Sequence, residues 1–195
     1  LQGTSREYNE SVKALAPFFD IELTDIEDWN CCGATAAHSV NKDLSLALPA
    51  QILALAEKQG MKEIVVPCAS CFNRLSLTQY ELAQDKELRK KITDTIDMPY
   101  EGTVKILNVV QFIDRYIKDK LIEKIVKPFT YKVACYYGCL LVRPHKILKF
   151  DRVEDPTSMD ELMNMIGSTP VEWGFKTECC GAGLSVSRTD LVAKL

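Results

Sequence analysis

Lys62-Glu63-Ile64-Val65-Val66-Pro67-Cys68-Ala69-Ser70-Cys71 is the stretch that sets the architecture of this chain. Its β-branched run is too short for a helix and is closed by Pro67, so it reads as a strand. The strand delivers Cys68 just past its carboxyl end, which in an open α/β sheet is where ligands bind. From Cys71 through Leu82 the pattern reads as helix. Cys71 then sits in the first turn, where free backbone N–H groups favour thiolate over thiol.

The same alternation extends in both directions. Glu7 to Phe19 places Val12, Leu15, Ala16 and Phe19 on one helical face. A short strand is expected at Ile21 to Leu23. Leu48 to Gln59 is a second helix that could begin several residues earlier, with Pro49 tolerated in its first turn and Gly60 as its stop. Further on, the expectations are a helix over Glu87 to Ile96, a strand over Val104 to Asn108 and a long helical region from Val110 to Ile125. Lys127-Pro128-Phe129 reads as a connector. Beyond it come a strand over Tyr131 to Tyr136, a turn at Tyr137-Gly138-Cys139, a helix over Met159 to Ile166 and a last strand over Thr169 to Trp173, where Pro170 suggests an edge. The fold class expected is α/β, in two related halves, each a small mostly parallel sheet flanked by helices. The halves are placed at 1–127 and 128–195.

The cysteines support a duplicated arrangement. Cys31-Cys32-Gly33-Ala34 returns as Cys179-Cys180-Gly181-Ala182, and the two copies use half of the eight cysteines. Neighbouring side chains of a strand point to opposite faces, so adjacent thiols serve one centre only where the backbone turns sharply, and the following glycine permits that turn. Between Cys32 and Cys68 lie 35 residues, and between Cys139 and Cys179 lie 39. Such a pattern reads as sulfur sites built in loops around a metal.

Composition narrows the class. The 195 residues are 47% hydrophobic and 26% charged, as in ordinary globular proteins, and a net charge of -3 without a long basic run argues against nucleic acid as a partner. No apolar stretch reaches the roughly 20 residues that a membrane span needs. Leu1-Gln2-Gly3-Thr4-Ser5-Arg6-Glu7 lacks the basic start and apolar middle of a signal peptide. A cytoplasmic location is expected, and with it metal or redox chemistry rather than a disulfide scaffold.

These residues resemble the cysteine-rich CCG domain family, whose members include the B subunit of heterodisulfide reductase. The family pattern sets a Cys, a Cys-Cys-Gly and a Cys-x-x-Cys in order, often twice. Cys31, Cys32, Cys68 and Cys71 match the first copy, and Cys139, Cys179 and Cys180 the second. The flanking words Trp29-Asn30-Cys31-Cys32-Gly33, Pro67-Cys68-Ala69-Ser70-Cys71 and Tyr136-Tyr137-Gly138-Cys139 are similar as well. No cysteine precedes Cys31 and no Cys-x-x-Cys follows Cys180, so the expectation is a trimmed chain, its second half cut short at the C-terminal end, with each site short of ligands and activity in doubt.

The resemblance implies an oxidoreductase subunit that reduces a disulfide substrate or relays electrons in a reductase complex. It implies iron-sulfur clusters of the 4Fe-4S type, with Cys31, Cys32, Cys68 and Cys71 ligating one and Cys139, Cys179 and Cys180 part of another, and possible zinc at one site. Implied partners are other reductase subunits, iron-sulfur and flavin-containing, since no G-x-G-x-x-G is evident for a nucleotide of its own. A different class, a non-catalytic zinc-binding module that stabilises a redox complex, stays open. So does the related iron-sulfur subunit of lactate, glycolate or glycerol-phosphate oxidation, although its usual ferredoxin-type cysteine runs are missing.

Other residues have simpler readings. Cys135 lies outside the pattern and reads as core. His38 and His145 read as solvated or capping residues, Tyr136 and Tyr137 as packing with proton donation as the alternative, and Gln84 to Lys91 as a solvated helix face. Cys68 and Cys71 have a thioredoxin-like redox pair as their alternative. Trp29 and Trp173 are candidates to shield the cysteine pairs or fill the core. Gly33 and Gly181 read as backbone devices.

Overall fold

A computed structural model describes residues 6–34, 37–185 and 187–195, the side chain of His38 excepted. In chain order the helices are α1 (Arg6–Leu15), α2 (Ala37–Val40), α3 (Lys42–Lys58), α4 (Ala69–Gln84), α5 (Lys86–Ile96), α6 (Val109–Tyr116), α7 (Lys118–Lys124), α8 (Cys139–Val142), α9 (His145–Leu148), α10 (Ser158–Met165) and α11 (Thr189–Val192). The strands are β1 (Glu63–Val66), β2 (Lys105–Asn108), β3 (Lys132–Val133) and β4 (Thr169–Pro170). β1 pairs in parallel with β2, from Glu63 opposite Lys105 to Val66 opposite Asn108. β3 pairs in parallel with β4, Lys132 opposite Thr169 and Val133 opposite Pro170. The α/β class and the two small parallel sheets flanked by helices are therefore as the sequence implies.

Local chemistry starts several elements. The Asn41 side chain accepts the Leu44 N–H at the head of α3, and the Asp85 carboxylate accepts the Leu88 N–H at the head of α5. Asn108 and Gln111 form a reciprocal capping box that turns the end of β2 directly into α6. Ala50, Leu53, Ala54 and Ala56 of α3 pack with Phe72, Leu75 and Leu82 of α4, and with Cys135, Tyr137, Leu141, Val142 and Leu148 from beyond the connector. One core thus runs through both cysteine-bearing parts. Cys32 belongs to it, and Cys71 packs against it.

Several boundaries differ from expectation. Ile21 to Leu23 forms no strand; Ile21 and Leu23 instead rest against a satellite cluster of Phe19, Phe112 and Ile117. α3 begins at Lys42, the earlier start that the sequence allowed, so Pro49 lies inside the helix rather than in its first turn, and it is buried there. The region from Val110 to Ile125 is two helices, with the break at Ile117, which is 1% exposed. Neither glycine nor proline marks that break, so packing of Ile117 sets it. Tyr131 to Tyr136 and Thr169 to Trp173 pair only over two residues each. Pro170 lacks a ladder donor, and past the pair the N–H groups of Tyr137 and Gly138 turn to the Lys176 carbonyl.

Candidate metal centres

Cys68 is the N-cap of α4, in extended conformation at the end of β1. Its sulfur makes no capping hydrogen bond, but it lies near the free N–H groups of Ser70 and Cys71 in the first turn. Cys71 lies one turn in and meets Cys32, sulfur to sulfur, at 2.9 Å. Hydrogen bonding of Cys71 with Cys32 and Cys68 pushes its own pKa up. Hydrogen bonding with Cys71, opposed by burial and aided by the N–H groups of Cys71 and Ser70, brings Cys68 down to about 5. Hydrogen bonding with Cys71, also opposed by burial, brings Cys32 to about 7. The favoured thiolate is thus Cys68, not Cys71 as the sequence implied, first because of its hydrogen bond with Cys71 and then because of the nearby N–H groups of the helix start. Tyr8 of α1 stands beside Cys68, and burial followed by that neighbouring charge raises its phenol.

Cys31 is exposed, and its Sγ accepts the Gly33 N–H at 3.5 Å. Asn30 ties this loop to α3, donating to the Cys31 and Leu48 carbonyls at 2.9 and 3.1 Å. Gly33 has φ +69°, and a Cβ there would stand 2.7 Å from the Ala37 Cβ and from the Leu48 Cδ1. Only glycine fits this turn without strain.

The second loop repeats the first. Cys179 Sγ accepts the Gly181 N–H at 3.4 Å, and Gly181 also has φ +69°. Gly138 is a third glycine at positive φ, +68°, and it opens α8 at Cys139. Burial, then the adjacent Cys179 with Cys180 nearby, push the Cys139 thiol up. Tyr136 stands at the same place, raised to about 12 by burial and by Cys180, Cys139 and Cys179. Its ring lies 6.0 Å from that of Trp173. Trp173 donates Nε1–H to the Cys135 carbonyl at 3.0 Å, while Trp29 is exposed.

The remaining candidates lie apart. Cys135 is buried near Asp160, with a raised pKa due first to burial. Tyr137 donates to Asp160 at 2.6 Å within the core. His145 is exposed at the start of α9, and the His38 side chain falls outside the described residues. All eight cysteines are free thiols. Tyr8, Asn30, Asn73 and Arg143 were not legible as site residues; Asn30, directly before the first cysteine pair, carried the one available hint.

Among the described residues no three His, Cys, Asp or Glu side chains surround a single point as they would a bare cation. The 2.9 Å approach of Cys32 and Cys71 is closer than the about 3.8 Å between two thiolates on one tetrahedral zinc, given bonds of about 2.3 Å. A bound metal would spread these sulfurs. The donor chemistry fits a thiophilic group: Cys32 and Cys71 meet with Cys68 beside Cys71, held by a helix start and a left-handed glycine turn, and soft thiolates select iron-sulfur or zinc.

The cysteine-rich domain family CCG matches residues 1–76 and 133–195. This chain belongs to that family. It is 32% identical over 185 residues to the 8-methylmenaquinol:fumarate reductase membrane anchor subunit of Wolinella succinogenes, covering 93% of the chain and 64% of that protein. It is 31% identical over 169 residues to the B subunit of the ferredoxin/F(420)H(2)-dependent CoB-CoM heterodisulfide reductase of Methanosarcina acetivorans, covering 84% of the chain and 56% of that relative. The B subunit of the Methanosarcina mazei ferredoxin:CoB-CoM heterodisulfide reductase matches at 31% with the same coverage. The CCG chain thus spans between about half and two thirds of the length of these relatives, which are subunits of reductases. Among its described residues no helix is long and apolar enough to cross a membrane.

Proposed function

We propose that this CCG chain is the iron-sulfur-binding part of an oxidoreductase subunit that reduces a disulfide or relays electrons within a reductase complex. The observation that carries the reading is the meeting of Cys32 and Cys71 at the head of α4, beside Cys68, from two separate stretches of the sequence. Cys31, Cys32, Cys68 and Cys71 would hold one cluster of the 4Fe-4S type, and Cys139, Cys179 and Cys180 would contribute to a second. Thiolate-ligated iron supplies one-electron chemistry. The chain's own part is to orient the sulfurs, exclude water on the core side, and lower the proton affinity of Cys32 and Cys68 so that ligation costs less. Cleaving a disulfide to two thiols consumes two electrons and two protons. The electrons would come from partner subunits carrying iron-sulfur or flavin groups. A reducing, cytoplasmic-side location belongs to the same reading, since the thiols must stay free for ligation.

The test is anaerobic reconstitution with iron and sulfide, followed by metal and sulfide analysis and visible and electron paramagnetic resonance spectra. The reading expects brown protein with stoichiometric iron and sulfide, and loss of one cluster signal in Cys32→Ser and Cys71→Ser. Colourless protein that takes up stoichiometric zinc and rejects iron would instead support the non-catalytic module.

A further inference from the structure

An unbroken line of covalent and hydrogen bonds joins the two cysteine sites. Asn73 lies two residues past Cys71 on α4 and is 2% exposed. It donates both amide hydrogens across the core, to the Leu140 carbonyl at 2.9 Å and the Arg143 carbonyl at 2.7 Å. Those carbonyls belong to and just follow α8, the short helix that Cys139 opens. Arg143 then donates Nη1–H to the Thr177 carbonyl at 3.0 Å, two residues before Cys179. On either side, the Lys176 carbonyl accepts the Tyr137 and Gly138 N–H groups at 2.8 and 3.0 Å, and the Glu178 carbonyl accepts the Tyr136 hydroxyl at 2.6 Å. Three successive carbonyls before the second cysteine pair are therefore gripped by the segment that carries Cys139.

A four-residue helix cannot hold a sulfur in place through its own hydrogen bonds, because forming one turn costs more than it returns. The direction of Cys139 must come from what grips α8. Asn73 grips it from the helix that carries Cys71, and Arg143 passes the constraint on to Cys179. An apolar residue at position 73 would fill the space but leave two carbonyls without these donors. From this we infer that Asn73 and Arg143 are positioning residues that fix the second set of cysteines relative to the first, an inference that rests on reading both sets as metal-binding.

The test uses the full chain, reduced and metal-free, with Cd(II) as the probe. Protection from N-ethylmaleimide is read for each cysteine by mass spectrometry as Cd(II) is raised. Asn73→Ser, which keeps one donor, and Arg143→Gln should each raise the Cd(II) concentration that half-protects Cys139, Cys179 and Cys180 by about tenfold, the weight of one such hydrogen bond. Half-protection of Cys32, Cys68 and Cys71 should stay within about twofold, and Arg143→Lys should recover most of the loss. The Arg143 side chain is 39% exposed, so its variants test the inference even if Asn73→Ser fails to fold. Unchanged half-protection of the second set overturns the inference, and so does a parallel loss at both sets in step with thermal stability. Absence of Cd(II) protection at both sets of the unaltered chain overturns the metal-site reading itself.

Discussion

Cys32 and Cys71 stand 39 positions apart in the chain, yet their sulfurs meet at 2.9 Å. The contact exists because α3 and α4 pack side by side, with Cys32 at the edge of their common core and Cys71 against it. A sulfur from a loop and a sulfur from a helix start are thereby held on one side of the molecule.

Thiol reactivity should follow this geometry in the metal-free protein. Cys68, lowered to about 5, is mostly thiolate at pH 6, while the raised Cys139 is almost wholly protonated. Iodoacetamide at pH 6 is expected to label Cys68 several-fold faster than Cys139, the gain in thiolate being partly offset by lower nucleophilicity. Equal rates, measured by mass spectrometry of quenched samples, would contradict the arrangement around Cys71.

The two glycine turns should not be equally sensitive. Gly33→Ala places a Cβ against the Ala37 Cβ, which cannot rotate away, whereas Gly181→Ala meets the flexible tip of Leu195. Both cost roughly 1–2 kcal/mol for a left-handed non-glycine residue, and Gly33→Ala carries an additional steric cost. Denaturant midpoints are expected to fall in the order unaltered chain, Gly181→Ala, Gly33→Ala, with Gly33→Ala lowest.

Asp151 predicts a feature of the acid limb. Burial works against its charged form, but the Ser158 hydroxyl and the N–H groups of Ser158, Arg152 and Thr157 outweigh burial and hold its pKa below the usual value. A carboxylate with a depressed folded pKa contributes stability that is complete above its unfolded pKa of about 3.9 and is lost as the pH falls through the folded one. Asp151→Asn should lower stability at pH 7 and flatten the loss below about pH 4. Urea unfolding at pH 3, 4, 5 and 7 measures the difference.

Phe72 anchors the helix that carries Cys71. It is 2% exposed in the shared core, so Phe72→Ala should cost about 3–5 kcal/mol. Calorimetry should show a single transition moved to lower temperature, because cysteine-bearing segments on both sides of the connector share that core. Two separate transitions would mean that the parts unfold independently.

Strand β1, helix α4 and the two Cys-Cys-Gly turns were legible because each has a local cause: a β-branched run stopped by proline, a 3.6-residue period, a glycine where φ must be positive. The break at Ile117 and the two-residue length of β3 and β4 were not, because packing and distant hydrogen bonds set them. The same division holds at the site, where the sequence named the cysteines but assigned the depressed pKa to Cys71 rather than Cys68.

The sequence by itself determined the cysteine inventory, its duplication and the sharp glycine turns after the two cysteine pairs, since those follow from residue type and backbone freedom. Tertiary structure alone decided which sulfurs meet, which thiols have lowered pKa values and how Asn73 reaches α8. Those depend on distances between segments up to 70 residues apart, which only a packed core fixes.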